Sequence, residues 1–182
     1  MKTDLSKFNN NWYKPGASVI KQIIWYYVNI FFFKSTIFPF KKLKILILRL
    51  FGATIGKNTV IKPGVNIKYP WKLTVGENSW IGENVWIDNL DHVEIGANCC
   101  ISQGALLLCG NHNYSSQAFD LITQKIIISD GAWVGAKCVV VPGCIIGNHA
   151  VLTVGSVAVG ALKPFGVYSG NKAVWVKQRT IN

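Results

Sequence analysis

An aliphatic residue returns at every sixth position through most of the region from Ile55 to Ala158. The positions with this spacing are Ile55, Ile61, Ile67, Val75, Ile81, Ile87, Ile95, Ile101, Leu107, Ile128, Val134, Val140, Ile146, Leu152 and Ala158. Few architectures other than a left-handed parallel β-helix can use this period: three hexads close one triangular coil, and each aliphatic side chain points into the prism. The sequence therefore predicts an all-β solenoid.

The irregularities in the period predict local features of the coil. Two-residue slips, from Leu73 to Val75 and from Val93 to Ile95, indicate bulged corners. The gap between Leu107 and Ile128 predicts one loop, residues 109–126, extruded from a β-helix that covers residues 53–162. We expect a short helical cap in residues 1–52 and a basic C-terminal tail in residues 163–182.

The apolar segment before the hexads allows two interpretations. Helical spacing is found at Ile20, Ile23, Ile24, Tyr27 and Phe31, and again at Leu43, Ile47 and Leu50. A transmembrane anchor is not expected, because Lys21, Gln22 and Asn29 interrupt an apolar run shorter than the ~20 residues of a spanning helix. The helices could cap the first coil, or they could make a peripheral membrane contact with lysines facing lipid phosphates.

Composition limits the partners and the compartment. The formal net charge of +11 favours an anionic partner. Nucleic acid is not expected, because neither an RNA-recognition signature nor zinc-finger spacing occurs. Five cysteines, with no CxxC pair and no cleavable signal peptide, indicate a reduced, cytoplasmic protein, with peripheral attachment at the inner face of the membrane left open. Most of these thiols are compact fillers of the coil, and Cys109 lies nearest the candidate chemistry.

The three histidines can be assessed one by one. Intervals of 20 and 37 residues separate His92, His112 and His149, which does not suit a zinc site of three imidazoles, and no metal is expected. His112 differs from the others because it lies in the predicted loop, within GNHNYS, directly after a hexad. A neutral imidazole in that place could remove a proton from a hydroxyl group.

Several segments together resemble the hexapeptide-repeat acyltransferases: the hexads, the GNHNYS loop, DGAWVGA, VGSV and YSGNKAVWVKQR. More closely, RLFGATIGKNTVIKPGVNIKYPW and WIGENVWIDNLDHVEIGANCCISQGALLLCGNHNYS resemble the colanic-acid-type O-acetyltransferases of exopolysaccharide synthesis. The resemblance runs essentially end to end. It implies transfer of an acetyl group from acetyl-CoA to a sugar hydroxyl, in a homotrimer whose active sites lie between adjacent solenoids.

The resemblance also implies roles for individual residues. His112 would be the general base, and the acceptor would attack the thioester directly, without an acyl-enzyme. Acceptor contacts are implied for Asp88, Asn89 and Tyr114. The residues implied along the pantetheine arm of CoA are Trp133, Gly135, Ala136, Val154, Gly155 and Ser156. Those implied near its phosphates are Lys172, Lys177 and Arg179.

Three positions depart from the family pattern. Asn113 stands where close relatives often have Asp, Lys172 replaces a proline, and Val159 replaces a polar residue along the CoA path.

Two other functions stay open. One alternative is a non-catalytic solenoid scaffold that docks on a membrane-associated polysaccharide assembly complex. The other keeps the acetyl transfer but changes the acceptor, for example to a free oligosaccharide, an antibiotic hydroxyl or serine.

Overall fold

The computed structural model describes residues 4–178. Its helical segments are a 3₁₀ turn at Leu5–Lys7, α1 at Val19–Val28, a π-helical continuation at Asn29–Lys34, α2 at Lys41–Leu50 and a 3₁₀ turn at Pro70–Lys72. Its strands are β1 (Thr54–Ile55), β2 (Val60–Ile61), β3 (Asn66–Ile67), β4 (Leu73–Val75), β5 (Trp80–Ile81), β6 (Trp86–Asp88), β7 (Val93–Ile95), β8 (Cys100–Ile101), β9 (Leu106–Leu108), β10 (Gly110–His112), β11 (Leu121–Thr123), β12 (Ile126–Ile128), β13 (Trp133–Val134), β14 (Val139–Val140), β15 (Ile145–Ile146), β16 (Val151–Leu152), β17 (Val157–Ala158), β18 (Ala161–Leu162), β19 (Gly166–Ser169) and β20 (Val174–Gln178).

The strands form the three walls of a left-handed β-helix, which confirms the predicted fold. Sheet A contains β1, β4, β7, β12, β15 and β18; sheet B contains β2, β5, β8, β13, β16, β19 and β20; sheet C contains β3, β6, β9, β14 and β17. The predicted hexad register is also confirmed. Ile61 of sheet B, for example, pairs with Ile81, and Ile81 pairs with Ile101 on the next coil.

The corners of the coil need a backbone conformation that the hexad pattern alone did not reveal. A non-glycine residue with φ between 55° and 59° occurs three positions after many of the buried aliphatic residues: Asn58, Asn78, Asn84, Asn98, Lys137 and His149. Asparagine is the side chain that tolerates this left-handed region best after glycine. His149 therefore belongs to a series of corner residues, and its ring stacks on that of Phe165 with centroids 4.9 Å apart.

The N-terminal helices cover the open end of the first coil, but the first helix does so with a different face from the one that has apolar spacing. The buried stripe of the first helix is Trp25, Asn29 and Phe33, and α2 buries Lys44 and Leu48. The face with apolar helical spacing points outward instead, since Ile20, Ile23, Ile24, Tyr27 and Phe31 are all exposed. Among the residues described, no helix is both long and apolar enough to cross a bilayer.

Two segments outside the regular coils shape the rest of the molecule. The predicted loop contains an antiparallel hairpin of β10 and β11, after which β12 rejoins sheet A. At the C-terminus the coil continues beyond the expected boundary at residue 162, because β19 pairs in parallel with β16. Strand β20 then turns back and pairs antiparallel with β19.

Candidate active site

The extruded hairpin holds His112 in one ring orientation. His112 ends β10 opposite Leu121, and its imidazole stacks on the Phe119 ring with centroids 4.4 Å apart and planes 9° apart. Its Nδ1 lies 2.8 Å from the carbonyl oxygen of Phe119. A carbonyl can only accept a hydrogen bond, so Nδ1 carries the proton in the neutral ring and Nε2 keeps its lone pair. The ring is therefore arranged to accept a proton at Nε2.

His112 faces a cavity of about 600 Å³ whose other walls come from three parts of the chain. The N-terminal segment contributes Phe8, Asn10, Asn11 and Tyr13, the corner between sheets C and A contributes Lys68 and Tyr69, and the same corner of the next coil contributes Leu90. The Phe8 ring lies 5.7 Å from the imidazole, centroid to centroid. The cavity thus combines a base, amide groups and aromatic rings, which can hydrogen-bond and stack on a polyhydroxylated ligand.

The sequence did not predict that the N-terminal segment would line this cavity. The backbone N–H of Asp4 donates to the carbonyl of Gln117 at 2.9 Å, which ties the segment to the hairpin. The Tyr13 hydroxyl donates to the carbonyl of Leu90 at 2.7 Å, which ties it to the coil. The pKa of Tyr13 is raised well above its usual range, mainly because the hydroxyl is buried, so the hydroxyl stays a donor. The available signal was the FNNNWY run, a concentration of amide and aromatic side chains.

Of the three predicted acceptor residues, Asp88 is placed best for contact with a ligand. Its carboxylate forms an ion pair with Lys68, with 3.0 Å between Oδ1 and Nζ, and it lines a second cavity of about 350 Å³. Lys68 and Tyr69 line both cavities, so the two are adjacent. The Lys68 ammonium and the Asp88 carboxylate together offer donors and acceptors to a polar ligand.

Asn89 and Tyr114 do not match the contacts expected for them. The Asn89 side chain is fully buried, and its amide is bonded at both ends to the backbone of Tyr69, at 2.9 Å and 2.6 Å. It therefore holds the Tyr69 corner, and its burial keeps it out of reach of an acceptor in a single chain. Tyr114 is 86% exposed at the tip of the hairpin and does not line the His112 cavity.

Two of the residues expected along CoA, Trp133 and Lys177, lie in strands of sheet B, and five more lie at the corner between sheets B and C: Gly135, Ala136, Val154, Gly155 and Ser156. In one row across the strands, Trp133 pairs with Val151, Val151 with Val167, and Val167 with Lys177. Trp133 is half exposed, and its indole N–H donates to the Ser102 hydroxyl at 2.9 Å. An exposed indole in line with an exposed lysine suits a ligand that has an apolar arm and a phosphorylated end.

The edge of this face contains both exposed and buried residues. Val154 is 72% exposed, and Gly155, with φ of +70°, has open space where a Cβ would lie. Ser156 is fully buried instead, and its hydroxyl accepts the Gly170 N–H at 3.0 Å, so its side chain holds the turn before β20. Gly135 is buried as well, since a Cβ there would lie 2.7 Å from the Leu152 carbonyl of the next coil.

Three further positions were expected along CoA: Ala136, Lys172 and Arg179. Ala136 accepts the Gly155 N–H at 2.9 Å. Lys172 is exposed in the turn before β20, and Arg179 lies outside the described residues.

Burial raises the pKa of the Cys109 thiol to about 12, which makes it a poor nucleophile in spite of its position beside the loop. Within residues 4–178 no group of three His, Cys, Asp or Glu side chains is arranged to hold a metal ion.

Comparison with known proteins gives clear relatives, although no family profile matches the chain. The sequence is 37% identical over 176 residues to the "Putative colanic acid biosynthesis acetyltransferase WcaF" of Escherichia coli (strain K12), and the aligned region covers 97% of each protein. It is 28% identical over 133 residues to the galactoside O-acetyltransferase of the same organism, over 71% of this chain and 65% of the relative.

Solved structures of similar shape share the β-helix. A hexapeptide-repeat acetyltransferase of Vibrio cholerae, complexed with acetyl coenzyme A, superposes with a TM-score of 0.82 at 19% identity, over 91% of this chain and 92% of that one. A galactoside acetyltransferase in complex with coenzyme A gives 0.80 at 23% identity, over 88% and 82%. The solved structures show that the chain shares the β-helix fold of these hexapeptide-repeat proteins, and the near full-length relative shows that it belongs to the family of the colanic acid biosynthesis acetyltransferases.

Proposed function

We propose that the protein is an O-acetyltransferase that moves an acetyl group from acetyl-CoA to a sugar hydroxyl in the biosynthesis of a colanic-acid-like exopolysaccharide. The main support is the bond between His112 Nδ1 and the Phe119 carbonyl, which leaves Nε2 as a proton acceptor beside a cavity with polar walls. The near full-length similarity to a colanic acid biosynthesis acetyltransferase supports the type of acceptor.

In this proposal His112 works as the general base. Bound acetyl-CoA supplies the activated acetyl group. The sugar hydroxyl gives its proton to Nε2 as its oxygen forms the bond to the acetyl carbon, so that no acyl-enzyme forms. The bond from that carbon to sulfur breaks, and the imidazolium gives the proton to the departing CoA sulfur, which leaves as the thiol. Meanwhile Phe119 stabilises the imidazolium through the Nδ1 bond. A backbone N–H near the acetyl oxygen would stabilise the developing negative charge.

The residues on sheet B fit the cofactor. The exposed Trp133 and Val154 offer apolar surface to the pantetheine arm, and Gly155 lets the ligand approach the backbone closely. We propose that Lys177 and Lys172 pair with phosphates of the nucleotide end. Lys172 in place of a proline and Val159 in place of a polar side chain would then change the affinity for CoA more than the reaction type.

The position of the two halves of the site favours a homotrimer. His112 leaves the coil at the corner between sheets C and A, because its hairpin connects β9 with β12. The proposed CoA row is on sheet B, the opposite wall of the prism. A single chain therefore presents its base and its CoA face on different sides, whereas a cyclic trimer can bring the base of one subunit to the CoA face of the next.

The acceptor would bind in the two adjacent cavities. We propose that Asn10, Asn11 and the Asp88–Lys68 pair hydrogen-bond the hydroxyls of a saccharide, and that Phe8 packs on a sugar ring. The reducing cytoplasm, where acetyl-CoA is available, agrees with the free thiols of the described residues, and we propose that compartment for the reaction.

Acetyl transfer can be tested directly by the release of CoA thiol against a panel of sugars, sugar nucleotides and colanic-acid-type oligosaccharides, with the acetylated product identified by mass. The proposal expects thiol release that depends on a saccharide. If the full-length protein binds no CoA and acetylates none of these acceptors, the non-catalytic scaffold becomes the better account.

A further inference from the structure

The cap presents exposed apolar side chains that neither the coil nor the candidate active site uses. We define the outward cap face as the exposed apolar side chains of the first helix, Ile20, Ile23, Ile24, Tyr27 and Phe31, together with the exposed basic residues of the same cap, Lys34, Lys41 and Lys42. Ile20 is 71% exposed and Phe31 is 65% exposed. The interior of the fold does not require these side chains, because Trp25, Phe33 and Leu48 already fill the contact with the coil.

The charged side chains of the cap itself have one sign. The sequence contains no Asp or Glu between Asp4 and Glu77, whereas Lys34, Lys41 and Lys42 are exposed within the cap. Large aromatic and aliphatic side chains beside unpaired lysines are typical of segments that lie in the interfacial layer of an anionic membrane.

We propose that the outward cap face docks the protein on a membrane surface that contains anionic lipids. The apolar side chains enter the boundary between headgroups and acyl chains, and the lysines pair with lipid phosphates. A second copy of this face fits poorly, because it would bring lysines against lysines without a carboxylate to pair with them.

Docking in this way would place part of the candidate site close to the membrane. Tyr26, Ile30 and Lys34 of the first helix also line the cavity that contains Asp88 and Lys68. Membrane contact would therefore bring that cavity close to the lipid surface, where an acceptor held by a membrane anchor could reach it.

The test is co-sedimentation of the full chain with vesicles, without acetyl-CoA or acceptor, so that its outcome is independent of the proposed reaction. We expect binding to vesicles of phosphatidylcholine with phosphatidylglycerol, weaker binding at high salt, and little binding to phosphatidylcholine alone. The triple variant Ile20→Ser/Ile24→Ser/Phe31→Ser should lose tenfold or more in partitioning. Lys34→Gln/Lys41→Gln/Lys42→Gln should also lose tenfold or more, since each lysine near such a surface contributes about fivefold.

Matched variants keep the result interpretable. Ile145→Ser removes an exposed apolar side chain from sheet A and should bind vesicles as the wild type does. Circular dichroism checks that each variant is folded. The proposal is overturned if the wild type binds neither vesicle, or if both cap variants bind as it does. It is also overturned if the cap substitutions lower the molar mass of the oligomer in solution, because the face would then join copies of the chain.

Discussion

At the level of single residues, the proposed reaction depends on which nitrogen of His112 can accept a proton. The Phe119 carbonyl fixes the proton on Nδ1, and the stacked Phe119 ring limits rotation of the imidazole. A side chain in the same loop without this support would sample several orientations. Sequence could predict the histidine and its loop, but not the carbonyl seven positions further on, because that contact depends on how the hairpin closes.

Replacement of His112 by alanine should lower kcat by about a hundredfold or more and leave the affinity for CoA unchanged, because the side chain acts on the acceptor proton. Steady-state thiol release and calorimetric CoA binding measure the two quantities. His92→Ala, a change at another exposed histidine, is the matched control and should keep the wild-type rate. Equal rates for wild type and His112→Ala would remove the histidine from the mechanism.

At the scale of elements, the cap shows why apolar spacing predicted the helices but not their orientation. The end of a β-helix exposes unpaired strand carbonyls, which need donors. The Trp25 indole donates to the Ile67 carbonyl at 2.8 Å, and the Arg49 guanidinium donates to the Ile55 carbonyl at 2.6 Å. The inner stripe of the cap is therefore partly polar, and the more apolar face remains outside.

Two phenylalanines of the first helix test this orientation. Phe33→Ala should reduce the free energy of unfolding by about 3–5 kcal/mol, because the ring is fully buried and its loss leaves a cavity. Phe31→Ala, two residues away and exposed, should change it by about 0.5 kcal/mol or less. Denaturant unfolding at one protein concentration gives both values. A larger effect from Phe31→Ala would mean that the opposite face packs on the coil.

Lys44 adds a pH-dependent prediction for the same element. Burial lowers the pKa of Lys44 below its ordinary value of 10.5, although its ammonium donates to the Lys62 carbonyl at 3.4 Å. Between the lowered pKa and 10.5 the unfolded chain binds more protons at this residue than the folded chain, so its contribution to stability rises with pH. Lys44→Met should therefore be more stable than wild type at neutral pH, with a gap that narrows towards pH 10.5.

Thermal unfolding of both proteins across this pH range measures the gap. Lys41→Met, an exposed change in the first turn of the same helix, controls for the loss of a positive charge. A gap that stays constant with pH would show that the Lys44 ammonium is not desolvated.

At the scale of the whole molecule, the period of six predicted the coil because every buried position repeats the same local geometry. The columns Ile55, Val75, Ile95 and Ile67, Ile87, Leu107 pair as the spacing indicates. The candidate site was harder to predict because it joins distant segments. Phe8 meets His112, and Lys68 meets Asp88, through contacts that no period encodes.

In the proposed trimer, His112 of one subunit acts on acetyl-CoA bound to sheet B of the next. Co-expression of His112→Ala with Trp133→Ala/Lys177→Glu under different tags, with the mixed oligomers purified through both tags, tests this arrangement. Each parent protein alone should be nearly inactive. In a cyclic trimer every mixed assembly regains one complete site, so we predict about one third of wild-type activity. Mixed oligomers as inactive as their parents would contradict the claim.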